Sequence, residues 1–361
     1  MGRRVLQVLS HSAGGIARHV ASIQRSLDGT DGLTVDVAAP SGLPVAMPRP
    51  PMEVEIPLGV RGHRQARRDL SALVRHGDYD VVHAHGLRAG MDAGRATHAQ
   101  SAYRLVSVHN LVRAEIVGRA RAALYKRAER SAVTNNDRVL AVSTDIADHL
   151  QRLKASTPIE VVHLGVDAPT ATRGRDEVRA ELGVPRDAAL IVCVARLDPQ
   201  KALHVLIEAV ARLEGALVAI VGTGSERARL EKAAIDAAVG DRVKFTGWRE
   251  DVTDLIAAGD VFCLSSVWEG VPLAAQEAIA LGVPVVATDV GGMRDLIADE
   301  TSGRLVPPGQ PEELARAIER VLSDCDIAER YATAARAHLQ EEFSMTKMLD
   351  RLKALYAEGR A

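Results

Sequence analysis

Aromatic residues are scarce: two tryptophans, five tyrosines and three phenylalanines in 361 residues, or 3%. A chain so poor in rings has little with which to stack bases, and it carries no nucleic-acid reading motif, so no nucleic-acid partner is expected. Cysteine is equally thin. Cys193 and Cys263 lie inside the apolar runs IVCVA and VFCLS and Cys325 stands alone, which offers neither a disulfide framework nor a metal knuckle. No stretch comes near the run of about eighteen apolar residues that a membrane span needs. The start, MGRRVLQVLSHSAGG, meets a histidine and a glycine pair too soon for a signal peptide. The expected location is therefore cytoplasmic, at most peripheral on the inner face of the plasma membrane. Net charge is also small, −2, but it hides a split: residues 1–168 hold 22 Arg and Lys against 16 Asp and Glu, the rest 23 against 31. A basic first half suits an anionic surface or substrate.

What the chain does have is aliphatic side chains, which carry most of its 47% hydrophobic content. They fall in short branched runs separated by helix-length amphipathic stretches. The first half reads VLQVL, LTVDVAA, MEVEI (52–56), YDVVHAH, YRLVSVHN, RVLAVS and IEVVHLG, with helical patterns at 16–27, 63–76, 88–100, 115–135 and 144–153. Such runs bury both faces of a parallel sheet, giving a doubly wound α/β domain. The proline- and threonine-rich stretch VDAPTATRGRDE then reads as a linker, after which ALIVCVARL, LVAIVG, RVKFTG, DVFCLS, VPVVATD and GRLVPP repeat the grammar. Two domains are expected, 1–168 and 169–340, with helix 341–361 able to pack back on the first.

Ligands of open parallel sheets bind beyond the carboxyl ends of the strands. Gly14 and Gly15 lie there, opening a helix after the first strand, and bare amides at such a terminus suit a phosphate. Neither GxGxxG nor GxxxxGK[ST] is present, which counts against a nicotinamide enzyme or an ATPase. Gly222 and Gly224, in VGTGSERARL, follow another strand. Arg196 and Lys201 bracket the loop LDPQ, where a guanidinium fork and an ammonium could hold a pyrophosphate. In WEGVPLAAQEAIALGVPVVATDVGG (268–292), Pro272 reads as the first residue of a helix ending at Gly282. Glu269 precedes that helix, and Glu277 lies within it among alanines, where a carboxylate needs a partner. His85 and His109 end strands, but no HExxH or Cys partner accompanies them and no carboxylate pair follows a strand, so a metal-free site is expected. Segment 61–76 sets Arg61, Arg64, Arg67, Arg68 and Arg75 against Asp69 alone, a face suited to anionic lipid or simply to solvent.

With these residues in place, the chain resembles the retaining nucleotide-sugar glycosyltransferases of the GT-B fold, family 4. The resemblance rests on the GG loop, VVHAHG, SVHN, VARLDPQK, FTGW and the glutamate pair of EGVPLAAQEAIALGVPVVATDVGG, in that order along nearly the whole chain. It implies two Rossmann-like domains facing across a central cleft. It also implies a UDP- or GDP-linked hexosyl donor as co-substrate, no other cofactor, and an acceptor hydroxyl on a glycan, lipid or small molecule. Arg196 and Lys201 would match the diphosphate clamp, Glu277 the ribose carboxylate, and Glu269 the acid on the donor sugar. Gly291 and Gly292 would lie near sugar and phosphate; Gly222, Gly247, Trp248 and Arg249 near the base; Gly15, beside Gly14, and His109 would contribute from the first domain. Ala195 and Ala202 stand where the family usually has glycine. The alternatives are a sugar-nucleotide 2-epimerase of the same fold, or a catalytically idle nucleotide-sugar binder.

Overall fold

Branched apolar runs spaced by helices fold here into parallel strands covered on both faces, as the burial of VVHAH and LVAIV at every position shows. The computed structural model describes residues 2–11, 14–43, 45–59, 61–111, 119–153, 155–167 and 169–359. It divides into two units, Met1–Gly165 with Met345–Ala361, and Val166–Ser344. These borders lie a few residues from those expected at 168/169 and 340/341.

The first unit holds a seven-stranded parallel sheet ordered β3-β2-β1-β4-β5-β6-β7. Its strands are β1 (Arg3–Leu9), β2 (Leu33–Ala39), β3 (Met52–Glu53), β4 (Val81–His85), β5 (Tyr103–Val108), β6 (Arg138–Ala141) and β7 (Ile159–Val161). The run MEVEI pairs only at Met52–Glu53, on the sheet edge, because Pro50, Pro51 and Pro57 flank it and proline cannot extend a ladder. Of the helix expected over 115–135, residues 115–118 lie outside the described ones and Arg119–Thr134 is helical. The last helix, Met345–Glu358, belongs to this unit: Met348, Leu352, Leu355 and Tyr356 are buried against Val5, Ile23 and Leu105.

The arginine-rich helix His63–Gly77 leaves Arg61 (just ahead of it), Arg64, Arg68 and Arg75 exposed. Arg67 is different. Its Nε lies 3.0 Å from Asp92 Oδ1 and His63 Nδ1 lies 2.6 Å from Asp92 Oδ2, so both bind a fully buried carboxylate on the helix Leu87–Ala96. Arg67 therefore docks one helix on another instead of facing outward.

The second unit holds β8 (Leu190–Val194), β9 (Leu217–Val221), β10 (Val243–Gly247), β11 (Val261–Leu264), β12 (Val285–Thr288) and β13 (Arg304–Val306), ordered β10-β9-β8-β11-β12-β13 and parallel throughout. In each sheet the strand order reverses beside the first strand, between β1 and β4 and between β8 and β11. Those switch points are where doubly wound sheets open for ligands. The stretch expected as a linker is not slack. Asp254, 4% exposed, accepts bonds from Thr172 N at 2.6 Å and Arg173 N at 3.2 Å, and Arg175–Glu181 forms a helix with Asp176 and Glu177 in its first turn. Ala168 lies outside the described residues.

Candidate active site

At the second unit's switch point the chain leaves β8 through Ala195 and Arg196, turns through a short 3-10 helix at Pro199–Lys201, and meets the loop that follows β11. Lys201 Nζ lies 2.6 Å from Glu269 Oε1, and Ser266 Oγ donates to the same oxygen at 2.5 Å. The side chains of this pair are only 14% and 6% exposed. Its two loops are cross-braced: Val267 N donates to Gln200 O, Gln200 Nε2 to Trp268 O, both at 2.9 Å, and Ser265 Oγ to Lys201 O at 3.1 Å. Thr288 Oγ1, at the end of β12, adds a bond to Ser266 O at 2.6 Å. A buried carboxylate beside an ammonium and a hydroxyl, on loops braced by neighbouring backbone, is held in one position. Ala202, next in line, has φ +43°, the left-handed conformation that glycine would adopt without strain. Arg196 is more open: its side chain is 53% exposed and paired with Asp198 Oδ2 at 2.8 Å.

Two glycine pairs let backbone approach backbone around this centre. A Cβ on Gly222 would stand 2.1 Å from Ala195 O, and one on Gly224 2.2 Å from Leu197 O, so the turn after β9 lies flush on the strand end that carries Arg196. A Cβ on Gly291 would reach Glu269 O at 1.9 Å and one on Gly292 would reach Gly270 O at 1.8 Å. Gly222 N also donates to Gly247 O at 2.8 Å, bringing the end of β10 alongside. There Trp248 is 65% exposed, a large ring held outward. Arg249 is engaged: Asp251 takes its Nε and Nη2, both at 2.7 Å, and Glu181 its Nη1 at 2.7 Å. These bonds hold the Asp251 carboxyl down at about 2. Pro272 is the N-cap of the helix Leu273–Ala280 and not its first residue. The helix closes in a Schellman turn, with Val283 N on Ala278 O and Gly282 N on Ile279 O. Glu277 sits half-buried on it.

The first unit gathers histidines. Strand alternation puts Gln7, His83 and His85 on one sheet face, with Ser107 beside His85 in register and His109 just beyond β5. His19, from the helix Gly15–Leu27 that Gly14 caps, closes on His85 and His109. Burial alone holds His19 down at about 4; burial first and neighbouring histidines second hold His83 down at about 3 and push His85 and His109 well below the usual imidazole range. All four rings are therefore neutral at neutral pH. Sequence reasoning singled out His85 and His109 but passed over His19 and the buried Gln7. A glutamine inside VLQVL, in register with the first histidine of VVHAH, was the available signal.

The structure thus brings Lys201, Glu269, Gly291 and Gly292 into one contiguous arrangement, and joins Gly222 to the strand end of Arg196 and to Gly247. His109 and the Gly14-Gly15 turn stand in the other unit, each at the carboxyl end of its own strand.

Comparison with known proteins agrees with this layout. Residues 13–169 match the family described as Glycosyltransferase Family 4, and residues 174–338 that described as Glycosyl transferases group 1. A D-inositol 3-phosphate glycosyltransferase of Mycobacteroides abscessus is 34% identical over 303 residues, 79% of this chain and 67% of that protein. The lipopolysaccharide core biosynthesis glycosyltransferase LpsE of Rhizobium meliloti is 38% identical over 179 residues, and there the match spans only 53% of the relative's length. Among solved structures, Anabaena HepE in complex with UDP and glucose superposes with a TM-score of 0.84 at 21% identity, covering 99% of this chain and 100% of that one.

Proposed function

Because the chain belongs to the GT-B glycosyltransferases, which transfer a sugar from a nucleoside-diphosphate sugar to an acceptor, we propose that it is a retaining hexosyltransferase of the family 4 type. The observation that carries this reading is the buried Lys201–Glu269 pair at the β8–β11 switch point, under the Gly291-Gly292 turn. Arg196 and Lys201 take the diphosphate, and Glu277 takes the ribose hydroxyls. Both bonds described for Glu269 end on Oε1, so Oε2 is the oxygen that meets the donor sugar. Gly222, Gly247 and the exposed Trp248 flank the base. Arg249, with each of its three guanidinium nitrogens bonded to a carboxylate, supports that turn and contributes backbone only. Gly291 and Gly292 line the sugar and phosphate. In the transfer, the bond from the anomeric carbon to the diphosphate oxygen breaks. The acceptor oxygen bonds to that carbon on the same face, and its proton passes to the departing diphosphate. The protein's part is electrostatic: preorganised cations meet charge as it develops on the leaving group.

No catalytic metal enters this scheme. The experiment incubates the purified chain with a panel of UDP- and GDP-sugars, with and without cell lipid extract, in EDTA, and scores diphosphate release. Acceptor-dependent release that survives chelation is the expected result. Conversion of donor alone to its C2 epimer would make the chain an epimerase, and release that requires added magnesium or manganese would overturn the metal-free phosphate site.

We further place the enzyme in the cytoplasm, reversibly on anionic membrane through Arg61, Arg64 and Arg68. No helix among the described residues is long and apolar enough to cross a membrane. Each arginine near anionic lipid contributes about 1 kcal/mol, so an Arg61/Arg64/Arg68→Ser variant should bind such vesicles roughly a hundredfold more weakly. Arg67 is left in place because it holds Asp92. Sedimentation with anionic and neutral vesicles at low and high salt checks this. Equal binding by variant and wild type would return these arginines to ordinary solvated surface.

A further inference from the structure

We propose that His19, His85 and His109, all in the first unit, form a binding site for a single transition-metal ion of the Zn2+ class. The three rings make a nearly equilateral triangle, with centroids 5.7 Å (His19–His85), 5.5 Å (His19–His109) and 5.3 Å (His85–His109) apart. An imidazole bound to zinc at about 2.0–2.1 Å has its centre about 3.2 Å from the ion, so three tetrahedral ligands place their centres about 5.2 Å apart. One nitrogen from each residue lies within 4.8 Å of the other two. His85 Nδ1 and His109 Nε2 are already 3.1 Å apart. Two nitrogens on one tetrahedral zinc stand about 3.3 Å apart, so this separation needs little change.

The hydrogen bonds around the triangle prepare it for a cation. Gln7 Oε1 lies 2.5 Å from His85 Nε2, and Gln7 is itself anchored by its Nε2 on Tyr356 Oη at 2.8 Å. A carbonyl oxygen there holds the His85 proton on Nε2 and leaves Nδ1 as a lone pair turned toward His109. This is the arrangement by which outer groups orient ligating histidines. On the other two residues, His19 Nδ1 and His109 Nδ1 are buried with no hydrogen-bond partner. Their residues are 6% and 7% exposed. Buried polar atoms are nearly always partnered, so the orphan His19 nitrogen beside the His85–His109 pair calls for an occupant. Binding through His109 Nε2 would move that ring's proton to Nδ1. An all-imidazole set selects Zn2+, Co2+, Ni2+ or Cu2+ over Mg2+ or Ca2+, and three protein ligands leave a fourth position for water.

The test uses the tag-free full chain, stripped with chelator and titrated with Co2+ and then Zn2+, and needs no sugar donor, so its outcome is independent of the transfer reading. One equivalent of Co2+ should bind with the intense visible absorption of a tetrahedral site, and Zn2+ should displace it and raise the melting temperature. His19→Gln, His85→Gln and His109→Gln should each lower affinity by about a hundredfold or more, and Gln7→Leu by about ten- to a hundredfold. His76→Gln, at an exposed position on the helix His63–Gly77, should leave affinity unchanged. Circular dichroism verifies folding. Should His85→Gln unfold, His19→Gln decides, since it changes a helix side chain without opening the sheet. Absence of saturable one-equivalent binding, or undiminished binding in the folded ligand variants, overturns the site.

Discussion

Lys201→Ala should lower sugar transfer by about a hundredfold, the usual loss when one preorganised contact to developing charge is removed. It should also lower stability, which Arg196→Ala should not. Lys201 is buried against Glu269, and removing it leaves that carboxylate with Ser266 alone in a site that is 4% exposed. Breaking such a pair from one side costs about 3 kcal/mol, or roughly 6–12 °C in the unfolding of a unit this size. The Arg196 side chain is 53% exposed and faces Asp198, so its loss changes transfer and little else. The double variant Lys201→Met/Glu269→Gln removes both charges; it should regain most of the lost stability while transfer stays abolished. Thermal unfolding and initial rates on the four proteins separate the two effects. Wild-type rates for both single variants would remove the diphosphate assignment. An unchanged melting temperature for Lys201→Ala would mean that the pair with Glu269 is not held in solution.

The same pair shows how far sequence reading reaches. β2 covers the run LTVDVAA at both ends, because a β-branched alternating segment bounded by glycine and proline has few other ways to bury itself. Arg196, Lys201, Glu269 and the two glycines after β12 could be collected from position alone, since parallel strands send their carboxyl ends to one edge. Pairing is what position does not disclose. Nothing local says that Lys201 meets Glu269, that Asp92 claims Arg67, or that Asp251 and Glu181 occupy Arg249; each partner comes from another element. His19 was hidden for the same reason. On an amphipathic helix a single histidine looks solvated until strands from elsewhere bury it. Asp254 likewise converts a stretch with every mark of a linker into packed backbone, although Asp176 and Glu177 ahead of an apolar position were a readable helix start.

The glycine turn after β12 supplies the other large effect. Gly292→Ala should reduce transfer by about a hundredfold or more, although the substitution adds one methyl group and removes no functional atom. Its Cβ would lie 1.8 Å from Gly270 O and 2.8 Å from both Gly270 C and Val271 Cγ2. Two of those three atoms are backbone, which cannot swing aside as a side-chain tip can, so the loop bearing Glu269 has to move. That loop also receives Gly292 N on Glu269 O at 3.2 Å, a bond lost with the displacement. Shifting a reacting group by about 1 Å is enough to cost two orders of magnitude in rate. Backbone strain is not the cause at Gly292, and a control shows the difference. Gly309 has φ +74° but nothing within 4 Å of where a methyl group would stand, so Gly309→Ala should cost only about 1 kcal/mol of stability and leave transfer intact. Gly291 combines both penalties, φ +49° and a Cβ 1.9 Å from Glu269 O, and its alanine variant should be the least stable of the three. Rates and melting temperatures of the three variants should therefore diverge. If Gly292→Ala transfers sugar as fast as Gly309→Ala, close contact between the 291–292 turn and the Glu269 loop is not what holds the donor side in place.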